Sequence, residues 1–312
     1  MLARVAETLY WYCRYVRRAE NLARLVGVGS QLQLDLPRAA RFSWRPLVQT
    51  LGAGEEFDRY IAAEEGRGEA AAVRFLLVEP DNPLSLRHVV RHARELQRSV
   101  RDTLPQECWL AINDAHLYIE AHAERAASRR YRQEFLDRVI DGCLRVSALL
   151  SANVSHDIGF QFMRFGTAME QADMTSRIID AAAAGLLSPR SEDDLEAFRA
   201  MQWMSMLRAL AAYPMYRRHV RQRVSAGPAL QFLLKDREFP RSVLFCLTRM
   251  QGMLPQMPAR RPVQLALRRA VATVFDADPL RLAASGPGPF LDRLQVELVA
   301  LDQAMRESYF SG

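Results

Sequence analysis

Along this chain apolar residues recur at intervals of three and four, and the alternation of a half-buried strand is nearly absent. Val5, Leu9, Tyr12, Val16, Ala19, Ala23 and Val26 fall on one stripe at about 100° per residue. That stripe predicts a helix over residues 4–26, with Gly27 and Gly29 as its stop. Further helices are expected around 44–51, 70–78, 84–103 and from Pro105 onward. Two long runs follow, Tyr131 to His156 and Ile158 to Leu187. Ser188-Pro189 breaks the pattern, and Ser191-Glu192-Asp193-Asp194 reads as an acidic helix start. Shorter helices are expected near 192–211, 213–225, 228–235 and 240–252. Ser285-Gly286-Pro287-Gly288-Pro289 reads as a loop before a last helix that ends near Phe310. About twelve helices and no strands predict an all-α bundle. No linker divides the chain, and the break at 188–191 can be a turn inside a bundle. One continuous domain over residues 1–312 is expected.

The pattern contains an echo. Ala19-Glu20-Asn21-Leu22-Ala23-Arg24 and Ala172-Asp173-Met174-Thr175-Ser176-Arg177 share the order small, acid, two variable, small, arginine. Acid and arginine four apart are neighbours on one helix face, a common pairing by itself. Glu20 and Asp173 each lie about 60° from the centre of their helix's apolar stripe, at the edge of the core, where a charge needs a partner. The spacing therefore suggests a pseudo-twofold pair, with the helix at 4–26 packed on the helix at 158–186. Glu170, Asp173 and Arg177 add a charged stripe along the second helix.

Composition narrows the choices of class. The chain has 312 residues, 49% hydrophobic and 25% charged, which is a globular balance. The net charge is +6, and among 42 basic residues Lys235 is the sole lysine. Arginine neutralises phosphate, but here the basic residues alternate with Asp and Glu and form no block of five, which argues against a nucleic-acid binder. Arg4 and Glu7 interrupt the first apolar run, so no leader segment is expected, and no uncharged run of ~18 apolar residues predicts a membrane span. A cytoplasmic location is the expectation. Cys13, Cys108, Cys143 and Cys246 are too few and too scattered for a disulfide framework or a zinc motif.

The search for reaction chemistry returns little. A carboxylate-bridged di-iron bundle needs paired E-x-x-H segments, and the sequence has none. His88 and His92 lack the glutamate of a zinc protease, and His116 and His122 fall on different helix faces, so no metal and no cofactor are expected. Lys235 sits in Leu-Leu-Lys-Asp-Arg, which is no phosphate loop, and no thiol has an evident histidine partner. Acids and arginines on helices remain, able either to bind an anion or to staple the bundle. In Phe239-Pro240-Arg241-Ser242, Pro240 fits a first helical position, which would put Arg241 beside the free N–H groups of a helix N-terminus.

Several segments together resemble the alpha-E family of bacterial all-helical proteins. They are Leu9-Tyr10-Trp11, Arg14 to Asn21 with Arg24, Arg94-Glu95 with Arg98 to Asp102, and Trp109 with Asn113. The middle signature is Phe162 to Gly166 with Glu170 to Arg177. Trp203, Leu207-Arg208, Ala212-Tyr213, Tyr216 to Arg218, Phe232 to Leu234 and Phe239 to Ser242 continue the match in order. The chain departs from the family's usual residues at Arg17, where an acid is usual, at Phe160, where Trp is usual, and at Thr167 and Gln171, where Arg is usual. The resemblance implies association with circularly permuted ATP-grasp ligases and transglutaminase-like proteins, hence a pathway of amide or peptide bond formation. It leaves three roles open. One is an accessory or substrate-binding component for a small anionic or peptide substrate. A second is an enzyme of that pathway with Glu170 or Asp173 as general acid/base. The third is a helical scaffold or nucleic-acid binder. In the first two, Glu20, Arg24, Arg98, Arg177 and Arg241 are expected to join Glu170 and Asp173 in one partly buried cluster that holds the anion.

Overall fold

The computed structural model describes residues 3–35, 40–63, 68–184, 187–189 and 195–311. The first apolar stripe folds into α1, Ala3–Asp35, longer than its spacing predicts. Gly27 and Gly29 do not stop it. A glycine inside a helix costs only about 1 kcal/mol, and at Gly29 the missing Cβ makes room for another ring. A Cβ there would lie 2.9 Å from the indole of Trp44. Trp44 opens α2, Trp44–Thr50, and its indole lies against the α1 backbone at Gly29.

The next helices are α3, Gly54–Ala63, α4, Glu69–Leu77, and α5, Leu86–Ser99, whose cap is the Ser85 hydroxyl accepting from the His88 N–H. Then come α6, Gln106–Ala126, α7, Arg129–Asn153, and α8, Ile158–Ala184. The second half holds α9, Leu195–Ala209, α10, Tyr213–His219, α11, Ala226–Lys235, and α12, Val243–Met253. It closes with α13, Arg261–Asp276, α14, Pro279–Ser285, and α15, Gly288–Met305, which runs on into a single π turn, Arg306–Phe310.

The fold is all-α, with fifteen α-helices among the described residues where about twelve were expected. α3, α13 and α14 lie where the sequence reading places no helix. α3 and α14 are short, and α13 opens on a run of Arg and Pro that hides its apolar positions. The expectation of no strands is corrected in one detail: Ala40–Phe42 (β1) and Leu187–Pro189 (β2) form an antiparallel pair, with Ala40 opposite Pro189. Three residues are too few for alternation to register. The expected acidic start at 191–194 lies outside the described residues.

α1 is the axis of the molecule. Residues all around it are buried, as a helix enclosed by neighbours requires. It packs on α8, α5, α7 and α9. α1 and α8 do pair, as the echo suggests, and they run parallel. Gly166 of α8 sits against the carbonyl oxygen of Tyr10, and a turn further along, Glu170 meets Arg14 and Arg18. Gly166 has no room for a Cβ, so it sets how closely the two backbones approach. One continuous hydrophobic core connects residues from Ala6 to Phe310. Lys235 ends α11, and its Nζ donates to the carbonyls of Phe275 and Ala277, each at 2.7 Å, so the chain's one lysine caps the C-terminus of α13.

Candidate functional site

The α1–α8 contact carries two carboxylates that are almost fully enclosed, Glu20 and Glu170, each 1% exposed. A buried carboxylate must be paired, and here each has more than one arginine. Glu20 accepts from Arg17 Nη1 at 2.5 Å, Arg24 Nε at 2.9 Å and Arg241 Nη2 at 2.6 Å. Burial alone would raise the Glu20 carboxyl, but Arg17, Arg241 and Arg24 outweigh it and hold the group at about 2. Arg241 moves down from the ordinary arginine range. Its burial outweighs the pull of Glu20, and Arg17 and Arg24 repel it.

Glu170 accepts from Arg14 Nε at 2.9 Å and from Arg18 Nε and Nη2 at 2.6 and 3.0 Å. Burial opposes its ionisation, and the two guanidinium groups still hold it below the usual carboxylate range. Arg14 also donates to Asp302 of α15 at 2.5 Å and lies over the ring of Trp11, 4.7 Å from its centre.

Arg241 reaches Glu20 from a short loop. The helix starts three residues later than expected: α12 begins at Val243, and Ser242 is its cap, accepting from Phe245 N–H at 3.1 Å. Pro240 therefore lies outside the helix, and Arg241 acts through its side chain and carbonyl rather than beside a helix N-terminus. Its guanidinium donates to Asn21 and Gln171 at 3.1 and 3.4 Å, and its carbonyl accepts from the Thr175 hydroxyl at 2.9 Å.

Of the sequence candidates, Glu20, Arg24 and Arg241 meet directly, with Glu170 one residue from Gln171 on the same contact. Asp173 and Arg177 pair with each other at 3.0 Å, and Arg177 donates to the Thr50 carbonyl at 3.1 Å. They line a small cavity of about 140 Å³ with Glu170 and Arg18. Arg98 stays outside. It pairs with Glu95 at 2.8 Å on the exposed face of α5. The sequence reading missed Arg14, Arg17, Arg18 and Asp302 as partners. Arginines on one helix carry no sign of a partner on another, and Asp302 is 288 residues from Arg14.

A larger cavity of about 470 Å³ opens beside the Glu20 cluster, between α1, α7, α8 and α12. Its charged lining is Arg17, Arg164, Arg241 and Arg249, with no carboxylate among the lining residues. The Arg17 Nε–H is buried with no partner among the described residues. Arg164 and Arg249 lie over the rings of Phe160 and Phe245 and have no carboxylate partner among the described residues. Burial, and then the nearby Arg249 guanidinium, push Arg164 down from the ordinary arginine range. The cavity also exposes apolar surface from Val16, Leu150, Phe160, Met163, Phe245 and Met253. An apolar enclosure of this size with a few convergent cations suits a small anionic ligand.

The other chemical groups are quiet. All four cysteines are free and buried. Burial pushes Cys13, Cys143 and Cys246 up to about 12 and Cys108 to about 11, which keeps them as thiols at neutral pH. Among the described residues no group of three or more His, Cys, Asp or Glu side chains is placed to hold a metal ion. No described helix is long and apolar enough to cross a membrane.

The chain is thus an all-helical protein whose central helix carries buried acid–arginine clusters beside an arginine-lined cavity. It belongs to the Alpha-E family, described as a predicted alpha-helical domain with a conserved ER motif, which matches residues 1–310. Uncharacterised proteins of Mycobacterium bovis and Mycobacterium tuberculosis are 25% identical to it over 273 residues. Those alignments cover 82% of this chain and 30% of each relative, so the chain spans about a third of the length of the curated relatives it matches. No solved structure matches it. Arg17, Phe160, Thr167 and Gln171, the positions where the resemblance implies departures from the family's usual residues, all line the larger cavity.

Proposed function

We propose that this protein binds a small anionic substrate in the arginine-lined cavity, as an accessory component of an amide- or peptide-bond-forming pathway served by an ATP-grasp ligase and a transglutaminase-like protein. The observation that carries the reading is the lining itself: four arginines and no carboxylate. Arg17 and Arg241 share the carboxylate of Glu20 behind the lining, while Arg164 and Arg249 face no carboxylate among the described residues, which is more cation than a structural staple would leave uncompensated.

The geometry favours binding over catalysis. A general acid or base needs a pKa near working pH and access to the substrate. Glu170 is held low by Arg18 and Arg14 and does not line the larger cavity. Asp173 is engaged by Arg177. A nucleic-acid surface would present its cations outward along a face, whereas Arg17 and Arg241 are recessed and fastened to Glu20.

The test is reconstitution with a circularly permuted ATP-grasp ligase of the same organism. The protein alone should turn over no substrate. Added to the ligase, it should lower the KM for the acidic substrate, and Arg249→Met should lose most of that effect with unchanged Tm. Product formed by the protein alone and abolished by Glu170→Gln would overturn the reading in favour of an enzyme.

A further inference from the structure

The cations of the larger cavity stand at two levels. α8 and α12 run antiparallel. Gln161, near the start of α8, donates to Gln256 beyond the end of α12, while Thr175, further along α8, donates to the Arg241 carbonyl just before α12 begins. Gln171 and Arg241 therefore share one level, joined by their hydrogen bond, and Arg17 joins them through Glu20. Arg164 and Arg249 share the other level, the second of them exposed at the mouth.

Seven residues of helix separate Arg164 from Gln171, so at 1.5 Å per residue the levels are about 10 Å apart. Between them the walls are apolar or neutral, with Thr167, Ala168, Phe245 and Cys246. The inner level is over-supplied with charge, because Arg17, Arg24 and Arg241 surround the single carboxylate of Glu20. The outer level has two guanidinium groups close enough to repel, and among the described residues no carboxylate lines the cavity to separate them. One anionic group would satisfy one level and leave the other as it was.

We infer that the cavity holds an elongated ligand carrying an acidic group at each end, a linear dicarboxylate of about 10 Å span with an uncharged middle. An extended peptide advances about 3.4 Å per residue, so the span matches about three residue lengths. This inference rests on the binding role proposed above and adds the shape and valence of the ligand.

Calorimetric titration of the full chain tests it with the ladder N-succinyl-Ala, N-succinyl-Ala-Ala and N-succinyl-Ala-Ala-Ala. Butyryl-Ala-Ala serves as the middle member's isostere without its second carboxylate. Affinity should peak at N-succinyl-Ala-Ala and fall about tenfold or more for butyryl-Ala-Ala. In Arg164→Met/Arg249→Met, with Tm unchanged, N-succinyl-Ala-Ala should bind no better than butyryl-Ala-Ala. Equal binding of those two probes to the native protein would overturn the two-ended ligand and leave the anion-binding role standing. An affinity that rises steadily along the ladder would also overturn it, because separation would then not matter. If no probe binds, the binding role itself fails and the inference with it.

Discussion

Glu20 shows what an enclosed charge costs and returns. Its folded pKa of about 2 lies below its ordinary 4.5, so the folded state prefers the ionised form. The stability it contributes is full above about pH 4.5 and is lost as pH falls toward 2. At 1.36 kcal/mol per pKa unit the contribution is roughly 3 kcal/mol. Urea melts of native protein and Glu20→Gln should show the native stability falling more steeply between pH 5 and pH 3. The variant should be less stable at pH 7 by about 3–5 kcal/mol, because Arg17, Arg24 and Arg241 then share no anion. Equal slopes would mean that the carboxylate is not clamped. Helical spacing located Glu20 but placed it at the edge of the core, where it proves fully enclosed. The missing information was that α1 is surrounded: a single stripe cannot report a helix buried on all sides, and so Arg14, Arg17 and Arg18 could not be told from solvated residues.

At the scale of elements, two glycines in adjoining helices should respond in opposite directions. Gly166→Ala places a methyl group against the Tyr10 carbonyl, and backbone cannot move aside as a flexible side chain can. It should cost about 1–3 kcal/mol or more, read as a lower denaturation midpoint. Gly252, within α12, has nothing within 4 Å of where its Cβ would stand. Gly252→Ala should stabilise by about 0.5–1 kcal/mol. A loss at both positions would contradict the close α1–α8 approach as the cause. The long helices were legible because their periodicity runs over many turns. The repeated acid-to-arginine spacing correctly suggested that α1 and α8 pair. The stop at Gly29 misled, since a glycine required by a neighbouring ring looks the same in sequence as one that ends a helix.

At the scale of the whole molecule, the last helix is fastened to the first. Asp302 of α15 accepts from Arg14 Nη1 and from the Tyr10 hydroxyl, both at 2.5 Å, and Phe310 packs on the Tyr10 ring with centroids 5.4 Å apart. Asp302→Ala leaves the Tyr10 O–H without an acceptor and leaves Arg14 Nη1 only the Tyr10 hydroxyl, 3.2 Å away, to donate to, which should cost about 1–3 kcal/mol. Hydrogen exchange should then accelerate in α15 while α6 and α7 keep their protection. Uniform acceleration would mean that α15 does not open separately. This closure between distant parts of the chain was beyond sequence reading, because no periodicity links residue 14 to residue 302. The larger cavity was hidden for the same reason: its lining comes from four helices and the loop before α12, and only their docking puts Arg17, Arg164, Arg241 and Arg249 around one space.

Lys235, fixed on the end of α13, has a practical consequence for chemistry on the purified protein. Among side chains, an amine-selective dye or crosslinker finds this one target, and coupling it neutralises the cap on Phe275 and Ala277. Labelling there would report on, and loosen, the joint between α11 and α13. Reagents that select guanidinium groups have no such single target, since exposed arginines such as Arg59, Arg98 and Arg101 stand across the surface.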